Sequence, residues 1–295
     1  MDFSRKIAML LALLLIEAAL SISFAQTVEE IDSGFSQDDI EEYIPVENNG
    51  KWGLKDSDGN MVIPCIYGRV EVALLNDNYV AVKESDIGKW GLINMNGDQI
   101  IPFKYDDVEV LTDRYAIVWI GDDFETNKQG LFDINKGEEI VPCKYDCIDL
   151  RGDDSAVFVL VRIGDYETGQ YGLIDVNTGK MTMPCIYGDV KVLNNNMAIV
   201  RMGEYALGKY GLVNCITGQE IVPCKYDYME MLVEGLAKVI VWYDEIYKYG
   251  IVDLNTGKEI LPCQYDMILE IDNGVITVVQ DEETLRFNYQ GQKID

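Results

Sequence analysis

The chain contains, at residues 89–108, the segment KWGLINMNGDQIIPFKYDDV. Close variants return at intervals of about 39 residues and begin at Lys51, Lys128, Gln170, Lys209 and Lys248. Every copy keeps a glycine near its start, a second glycine after it, then a proline and a tyrosine soon after the proline. A register of this kind identifies a tandem repeat protein.

Each copy predicts a β-hairpin followed by a corner. GLID at residues 172–175 is rich in β-formers, and Asn177-Thr178-Gly179 predicts a tight turn in which the glycine takes a positive φ. Asp175, just before the turn, is placed to accept hydrogen bonds from turn N–H groups. The second strand, such as residues 220–222, is predicted to stop at the proline, which has no N–H for a ladder. Pro-x-x-Tyr is interpreted as a corner with the ring packed inward and the hydroxyl bonded locally.

Further β-strands are predicted between the copies, joined to the next glycine-containing strand by loops of variable length. These strands lie at residues 79–82, 115–118, 157–160, 197–200, 236–239 and 274–278. Residues 43–46 precede the first copy as a strand, and residues 285–294 form a decayed seventh copy. The chain is thus predicted to hold seven three-stranded meanders, joined by six Pro-x-x-Tyr linkers, each able to add a fourth strand.

The predicted fold is all-β, a tandem array of seven antiparallel β-meander repeats of about 39 residues. No segment has a sustained helical period, so we expect little helix after the N-terminus. An open superhelical stack is favoured because no repeat is split between the two ends of the sequence. A seven-bladed β-propeller is the alternative, since the number and length of the repeats suit it.

Residues 1–25 have the layout of a secretory signal peptide. Arg5-Lys6 is a short basic region, residues 7–15 are an unbroken apolar run, and Ala25 precedes a predicted cleavage site. Glu17 interrupts the apolar stretch, which is too short for a membrane anchor. We therefore expect cleavage, no membrane insertion afterwards, and a location in the periplasm or outside the cell.

The mature chain divides into a lead-in and a repeat domain. Residues 26–42 are rich in Asp and Glu with few large apolar side chains, so they predict an acidic, flexible lead-in. Residues 43–295 form the predicted β-repeat domain.

The motif resembles the WG-repeat family of bacteria, also called KWG repeats. The residues that carry the resemblance are Trp52-Gly53, Trp90-Gly91 and Lys104-Tyr105-Asp106, together with the turn glycine and the Ile/Val–Pro step. The resemblance covers about residues 43–295. The Trp position is taken by Tyr171, Tyr210 and Tyr249 in later copies and by Gln129 in one copy. It implies an all-β repeat protein, often exported, in a family with no agreed enzymatic activity and no catalytic residues to carry over.

The composition argues against several classes of function. Lys and Arg number 24 against 51 Asp and Glu, so the net charge is −27, and histidine is absent. Such acidity disfavours nucleic acid and anionic membranes, which bind clustered cations. The missing histidine removes the usual general base and zinc ligand, and no nucleophile elbow, phosphate loop or dinucleotide motif is present. We therefore predict no catalytic, cofactor or metal residues.

Five cysteines share one position of the motif, directly after the proline: Cys65, Cys143, Cys185, Cys224 and Cys263. Phe103 takes this position in another copy, so it is interpreted as an apolar packing position that buries free thiols. Cys147 and Cys215 complete the set. One or two disulfides are left open by the oxidising compartment, and a metal site at Cys143 and Cys147 is weakly indicated.

Two groups of carboxylates are candidates for a calcium site and for a catalytic site. Asp56-Ser57-Asp58-Gly59-Asn60 superficially resembles a calcium loop, but its glycine comes too early, so a hairpin turn is predicted and weak calcium binding is left open. Asp122-Asp123 and Asp153-Asp154 are loop pairs that could act as acid and base in sugar hydrolysis, although paired loop carboxylates are usually just solvated.

The function favoured by the sequence is that of a non-catalytic binding or scaffold module, with the variable loops as its contact surface. A glycan- or calcium-dependent adhesion module is the alternative, and an enzyme is disfavoured. Trp119, Trp242, Tyr243 and Tyr247 lie near these loops, where they either stack on a glycan or peptide or pack into the core. The partner is expected to be a protein, or else a glycan, and acidity favours basic partners whose binding weakens with salt. No individual binding residue is assigned.

Overall fold

The structure is a computed structural model that describes residues 43–72, 79–121, 126–150, 158–193, 196–204, 207–233, 235–243 and 246–294. These residues belong to one compact unit, Glu42–Asp295. None of them is helical, and no helix in this part of the chain is long and apolar enough to span a membrane. The predicted signal peptide, the acidic lead-in and the pairs Asp122-Asp123 and Asp153-Asp154 lie outside the described residues.

The described strands form seven antiparallel sheets in chain order. Sheet 1 has three strands: β1 Ile44–Asn48, β2 Lys51–Lys55 and β3 Met61–Tyr67. Sheets 2 to 4 have four strands each: β4 Arg69–Val72, β5 Tyr79–Lys83, β6 Trp90–Asn94 and β7 Gln99–Tyr105; β8 Asp107–Val110, β9 Tyr115–Ile120, β10 Lys128–Asp133 and β11 Glu138–Tyr145; β12 Cys147–Leu150, β13 Phe158–Ile163, β14 Gln170–Asp175 and β15 Lys180–Tyr187.

Sheets 5 to 7 repeat the same four-stranded pattern: β16 Asp189–Val192, β17 Met197–Met202, β18 Lys209–Asn214 and β19 Glu220–Tyr226; β20 Tyr228–Val233, β21 Leu236–Tyr243, β22 Ile246–Asp253 and β23 Glu259–Tyr265; β24 Met267–Asp272, β25 Val275–Gln280, β26 Glu283–Asn288 and β27 Lys293–Ile294. In every sheet, strands that are consecutive in the chain are neighbours in the ladder. The predicted all-β array of seven antiparallel units is therefore confirmed.

The boundary between sheets falls at the tyrosine of the motif. β7 ends at Tyr105 in sheet 2, and β8 begins at Asp107 in sheet 3. Each Pro-x-x-Tyr linker therefore does add a fourth strand to the predicted meander, and this strand is the first strand of the following sheet. We call the tyrosine and the residue after it the corner.

The proline does not end its strand, so that prediction was wrong. β7 runs through Pro102, and its pairing with β6 shifts between Trp90↔Tyr105 and Leu92↔Ile101, which leaves residues 102–104 in a bulge. β7 is the edge strand of its sheet, where a missing N–H removes no ladder bond. The other copies that carry the motif proline show the same shift.

The first glycine of the motif is required by this bulge. A Cβ on Gly91 would lie 2.6 Å from the Ile101 carbonyl oxygen and 2.8 Å from the Phe103 ring. A Cβ on Gly130 would lie 2.7 Å from the sulfur of Cys143. The strand that carries the bulge passes so close to the neighbouring strand that only glycine fits opposite it.

The predicted turns are confirmed. Gly179 has a φ of 65°, and the second glycine of each other copy also has a positive φ. Asp175 Oδ1 accepts hydrogen bonds from the N–H of Asn177 at 2.8 Å and of Thr178 at 3.2 Å. The short polar side chain and the glycine together close the hairpin between the last two strands of each sheet.

Six clusters of buried apolar side chains lie between successive sheets. In one of them, Leu92 and Tyr105 of sheet 2 pack with Val118 and Phe132 of sheet 3. No cluster of described residues joins sheet 1 to sheet 7. The array is therefore open, as favoured from the sequence, and does not close into the seven-bladed propeller that was the alternative.

The two end sheets carry polar side chains where inner sheets carry buried apolar ones. Arg286 is exposed in sheet 7 at the position that is fully buried in the other six sheets: Leu54, Leu92, Leu131, Leu173, Leu212 and Ile251. Half-exposed Lys55 of sheet 1 takes a position that is apolar and buried in all later sheets: Ile93, Phe132, Ile174, Val213, Val252 and Phe287. The outward faces are thus those of capping repeats.

Candidate interaction surface

Two edges of the array differ in what they carry. In a four-stranded antiparallel meander, the loop between the second and third strands lies at the same edge as the corner that leads to the next sheet. We call this the corner edge, and we call the opposite edge, with the glycine turns, the turn edge. The N–H of Gly121, in the loop of sheet 3, donates to Asp106 Oδ2 of the preceding corner at 3.0 Å, as this arrangement requires.

Aspartates at the corners fix the loops of this edge. Lys128, which opens the third strand of sheet 3, donates from Nζ to Asp146 Oδ1 at 2.5 Å, and the N–H of Gly164, in the next sheet, donates to Asp146 Oδ2 at 2.9 Å. Three further corners make the same pair of contacts, at Asp106, Asp227 and Asp266. Each corner aspartate therefore ties its own sheet to the loop of the following sheet.

The electrostatics of the corner follow from these contacts. Burial by itself would raise the pKa of the Asp146 carboxyl, but the hydrogen bonds from Lys128 and from the Gly164 N–H outweigh it and lower the pKa. The pKa of Asp106 is lowered in the same way by Lys89 and the Gly121 N–H. The aspartate in turn balances the positive charge of the motif lysine.

One corner is held by a cation instead of an aspartate. Gly188 stands in the aspartate position there, and Gln170 in the lysine position. The buried guanidinium of Arg201 donates to the carbonyl oxygen of Gly188 at 2.8 Å and to that of Gly203, in the loop of sheet 5, at 3.0 Å. The loop of sheet 5 is thus held to its corner through carbonyl groups and a cation instead of N–H groups and a carboxylate.

At two corners the tyrosine hydroxyl is bonded by the next sheet, and the prediction of a local partner was wrong there. Tyr105 donates to Glu139 Oε2 of sheet 3 at 2.5 Å, and Lys104 contacts the same oxygen at 3.1 Å. Lys225 and Tyr226 hold Glu259 of sheet 6 in the same way. The hydrogen bonds from Lys225 and Tyr226 lower the pKa of Glu259. These contacts link the fourth strands of successive sheets.

All seven cysteines are free, as predicted for most of them. The post-proline thiols are half-buried, so full burial was too strong a prediction, and only Cys215 is fully buried. Cys143 contacts the carbonyl oxygen of Val118 at 3.5 Å from Sγ. Burial, with a smaller effect of Glu139, raises the pKa of Cys143 to about 12, and burial similarly raises that of Cys263 to about 12. Such thiols fill space and are poorly reactive.

The sequence candidates for a metal site are not brought together. Asp56 Oδ1 accepts from the N–H of Asn60 at 2.8 Å, so residues 56–60 form the predicted hairpin turn. Cys143 lies in β11 and Cys147 in β12, in different sheets. Within the described ranges, no three Cys, Asp or Glu side chains are grouped so as to hold a metal ion.

Of the four aromatic side chains near the loops, some pack into the core and others are exposed to solvent, where they could stack on a glycan or peptide. Trp119 packs half-buried against the core between sheets 3 and 4. Trp242 is half-buried and stacks on Tyr247, with ring centroids 5.8 Å apart and planes at 12°. Tyr243 and Tyr247 are exposed near the tip of the β21–β22 hairpin. The hairpin therefore carries the part of the predicted aromatic surface that faces solvent.

Besides Tyr243 and Tyr247, the corner edge presents exposed apolar side chains that were not singled out from the sequence. We call the set the corner-edge ridge, and it consists of Ile87, Ile120, Ile163, Tyr166, Met202, Leu207, Tyr243, Ile246 and Tyr247. These residues lie in the second-to-third-strand loops of sheets 2 to 6 or at the strand ends that adjoin those loops. In sheet 7 this connection is a tight turn at Asp281 and Glu282, both with positive φ, and it has no apolar side chain. The residues of the corner-edge ridge all lie in the segments that lead into a motif glycine. The sequence therefore did contain a pattern that marks them.

Carboxylates surround the corner-edge ridge. The loops and turns of this edge hold Glu84, Asp86, Asp165, Glu167, Glu204, Asp281, Glu282 and Glu283. Four lysines of the same edge, Lys89, Lys128, Lys209 and Lys248, are already paired with corner aspartates. The ridge is therefore suited to binding through apolar contact combined with attraction of cations.

A family model described as "WG containing repeat" matches residues 52–86, 90–120, 171–205, 210–241 and 249–283. These segments make up more than half of the chain, and the protein belongs to the WG-repeat family. All five matched segments begin at the Trp or Tyr of the motif, whereas the copy with Gln129 is not among them. The resemblance stated from the motif is confirmed.

Similar solved structures include a puromycin hydrolase, at 10% identity and a TM-score of 0.31, covering 86% of this chain and 52% of that one. An uncharacterized protein, lmo1340 from Listeria monocytogenes EGD-e, has 12% identity and a TM-score of 0.30, covering 86% and 90%. Oligopeptidase B from Trypanosoma brucei has 12% identity and a TM-score of 0.32, covering 81% and 45%. The chain spans about half the length of the hydrolase structures. No curated protein matches it. At these TM-scores, nothing about activity carries over.

Proposed function

We propose that this protein is exported and acts as a non-catalytic binding or scaffold module in the cell envelope or outside the cell. The observation that carries the proposal is the corner-edge ridge, in which loops from five successive sheets present exposed apolar side chains along one edge. The corner contacts of Asp106, Asp146, Arg201 and Asp227 hold four of these loops against the stacked sheets. Binding surfaces of repeat proteins are built in this way, from loops on a rigid scaffold.

The chemistry of the described side chains supports binding rather than catalysis. Carboxylates that sit in partly buried positions, such as Asp146 and Glu139, are engaged in joining one sheet to the next. The chain has no histidine, and several of its thiols have raised pKa values. Export is supported by the signal-like residues 1–25.

Capture from envelope extracts tests this function. The purified protein is immobilised and incubated with extract at about 0.05 M and about 0.5 M salt, with and without calcium, and retained molecules are identified by mass spectrometry. We expect a defined protein that is retained at low salt and released at high salt, because the surface is strongly acidic.

Two other results would contradict the proposal. Retention of a glycan only in the presence of calcium would identify an adhesion module instead. Turnover of a chromogenic glycoside, abolished by Asp122→Asn or Asp153→Asn, would identify an enzyme. Sequencing of the secreted protein's N-terminus tests the export step, with Gln26 as the expected first residue.

A further inference from the structure

We propose that the corner-edge ridge binds an extended cationic polypeptide in the polyproline II conformation, with an apolar residue at about every third position and Lys or Arg between them. The inference rests on the proposed function and names the partner class of that function. Its basis is the combination, on one edge, of fixed apolar side chains and surrounding carboxylates.

The apolar side chains of the ridge are too exposed to serve folding. Tyr166 is 84% exposed and Leu207 is 78% exposed, in the loops of sheets 4 and 5. Ile246 and Tyr243 face each other across the end of the β21–β22 hairpin in sheet 6. Burial of apolar surface yields about 25 cal/mol per Å², so a ligand that covers several of these side chains gains free energy that folding does not use.

The ridge is held in place, so little ordering is needed on binding. The N–H of Gly164, next to Ile163, donates to Asp146 at 2.9 Å, and the N–H of Trp242, next to Tyr243, donates to Asp227 at 2.9 Å. Asp165 caps its own loop by accepting from the N–H of Thr168 at 2.7 Å. Preorganised surfaces lose less entropy when they bind.

The negative charge of the corner edge favours a positively charged partner. Glu84, Asp86, Glu167 and Glu204 lie in the same loops as the apolar side chains, while the motif lysines are paired with corner aspartates. The carboxylates outnumber Arg162, whose guanidinium carbon lies 6.0 Å from the centre of the Tyr166 ring. A second copy of this chain is repelled because its net charge is also −27. Nucleic acid and anionic lipid are repelled for the same reason, and a cationic partner is attracted.

The stacking of sheets sets the spacing within the partner. Packed sheets lie about 10 Å apart. A polyproline II chain rises about 3.1 Å per residue with about three residues per turn, so side chains three residues apart point the same way. A segment that crosses the ridge from sheet to sheet therefore meets a new loop about every third residue. The residues between these contacts lie over the carboxylates, which favours Lys and Arg there.

Synthetic peptides of about twelve residues test the partner class. The probe repeats Leu-Lys-Lys, and the controls repeat Leu-Ser-Ser, Ser-Lys-Lys and Leu-Glu-Glu. Binding is measured by calorimetry and by the fluorescence of Trp242, which lies beside Tyr243 and stacks on Tyr247. We expect Leu-Lys-Lys to bind at least about tenfold more tightly than each control, because only it combines charge and apolar contact.

Matched variants test the location. Ile246 on the corner edge and Ile216 on the turn edge are both 57% exposed, so their replacement by Ser removes the same exposed group from opposite edges. The double variant Leu207→Ser and Ile246→Ser is expected to weaken Leu-Lys-Lys binding about tenfold, and Ile216→Ser to leave it unchanged. Circular dichroism and the thermal midpoint check that each variant is folded.

The outcomes separate this inference from the proposed function. The inference is overturned if Leu-Ser-Ser or Ser-Lys-Lys binds as well as Leu-Lys-Lys, or if the Leu207/Ile246 double variant binds like the unchanged protein. Should the protein still capture a salt-sensitive partner from extract in that case, the proposed function stands and only the ridge assignment fails. If Leu-Lys-Lys binds as expected and no partner is captured, the ridge assignment stands and the proposed function fails.

Discussion

At the scale of single residues, the motif glycine and the proline explain each other. The bulge after Pro102 brings the backbone of β7 over β6, and Gly91 gives the space that this crossing needs. The side chain after the proline then lies beside the glycine, as the Cys143 sulfur does beside Gly130. A cysteine or a phenylalanine at this position therefore fills the same gap.

Replacing the motif glycine should cost more stability than replacing the turn glycine. Gly91→Ala places a Cβ 2.6 Å from a backbone oxygen, whereas Gly97→Ala meets nothing within 4 Å and pays only for its φ of 85°. We expect a loss of about 1 kcal/mol for Gly97→Ala and of about 3 kcal/mol for Gly91→Ala. Urea denaturation followed by circular dichroism measures both, and equal losses would contradict the close approach.

The thiols should be unpaired and slow to react in the folded protein. With a pKa of about 12, Cys143 and Cys263 carry only about one thiolate in ten thousand at pH 8. Thiol titration in denaturant without reductant is expected to find all seven groups, and the same titration of the native protein to find these two almost unreactive. Five groups or fewer in denaturant would show that at least one disulfide forms.

At the scale of elements, the corner is the joint between sheets. The aspartate corner joins a lysine of one sheet to a loop of the next, and Arg201 does the same with carbonyl groups. Sheet 1, in the described chain, has no strand before β1, and Pro45 removes an N–H from that edge strand. The proline makes the edge a poor template for another strand.

Removing one corner carboxylate should destabilise the fold in a pH-dependent way. Asp146→Asn loses the ion pair with Lys128, and we expect a loss of about 1–2 kcal/mol at pH 7. Because the folded-state pKa of Asp146 is lowered below its usual 3.8, its stabilisation is complete above that value and fades as the pH falls through the folded-state pKa.

Urea midpoints of the Asp146→Asn variant at pH 7 and pH 3 measure this effect. The difference from the unchanged protein should be large at pH 7 and smaller at pH 3. Glu109→Gln is the control, because Glu109 is an exposed carboxylate on strand β8. A pH-independent loss for Asp146→Asn, or an equal loss for Glu109→Gln, would argue against the corner ion pair.

At the scale of the whole molecule, the array ends where its faces become polar. Arg286 and its ladder partner Thr277 lie on the outward face of sheet 7. Inner sheets fill the Arg286 position with buried Leu or Ile, and sheets 3 to 5 fill the Thr277 position with buried Ile117, Leu160 and Ile199. An uncapped repeat face would stack on another copy.

Restoring an apolar end face should cause self-association. The double variant Thr277→Ile and Arg286→Leu is expected to form dimers in a concentration-dependent way, whereas Arg286→Gln stays monomeric because it remains polar. Sedimentation velocity over a range of protein concentration measures this. A double variant that remains monomeric at all concentrations would show that the caps do not limit stacking.

Local conformation was predictable because it depends on near neighbours. The glycine turns and the Asx hydrogen bonds of Asp175 or Asp253 involve residues within one hairpin, and repetition in six copies made them visible. The bulge after the proline was missed, because an edge strand tolerates proline and the sequence does not mark which strand is an edge.

By itself, the sequence determined the repeat, the turns, the all-β class and the acidic charge, since each of these is written in single residues or in short spacings. Tertiary structure alone decided which sheet each linker strand joins, which sheet binds the tyrosine hydroxyl, and which loop side chains line the corner-edge ridge. Those features depend on contacts such as Tyr105 with Glu139, between successive copies of the motif. Stacking creates these contacts, because a single sheet buries too little apolar surface to be stable alone.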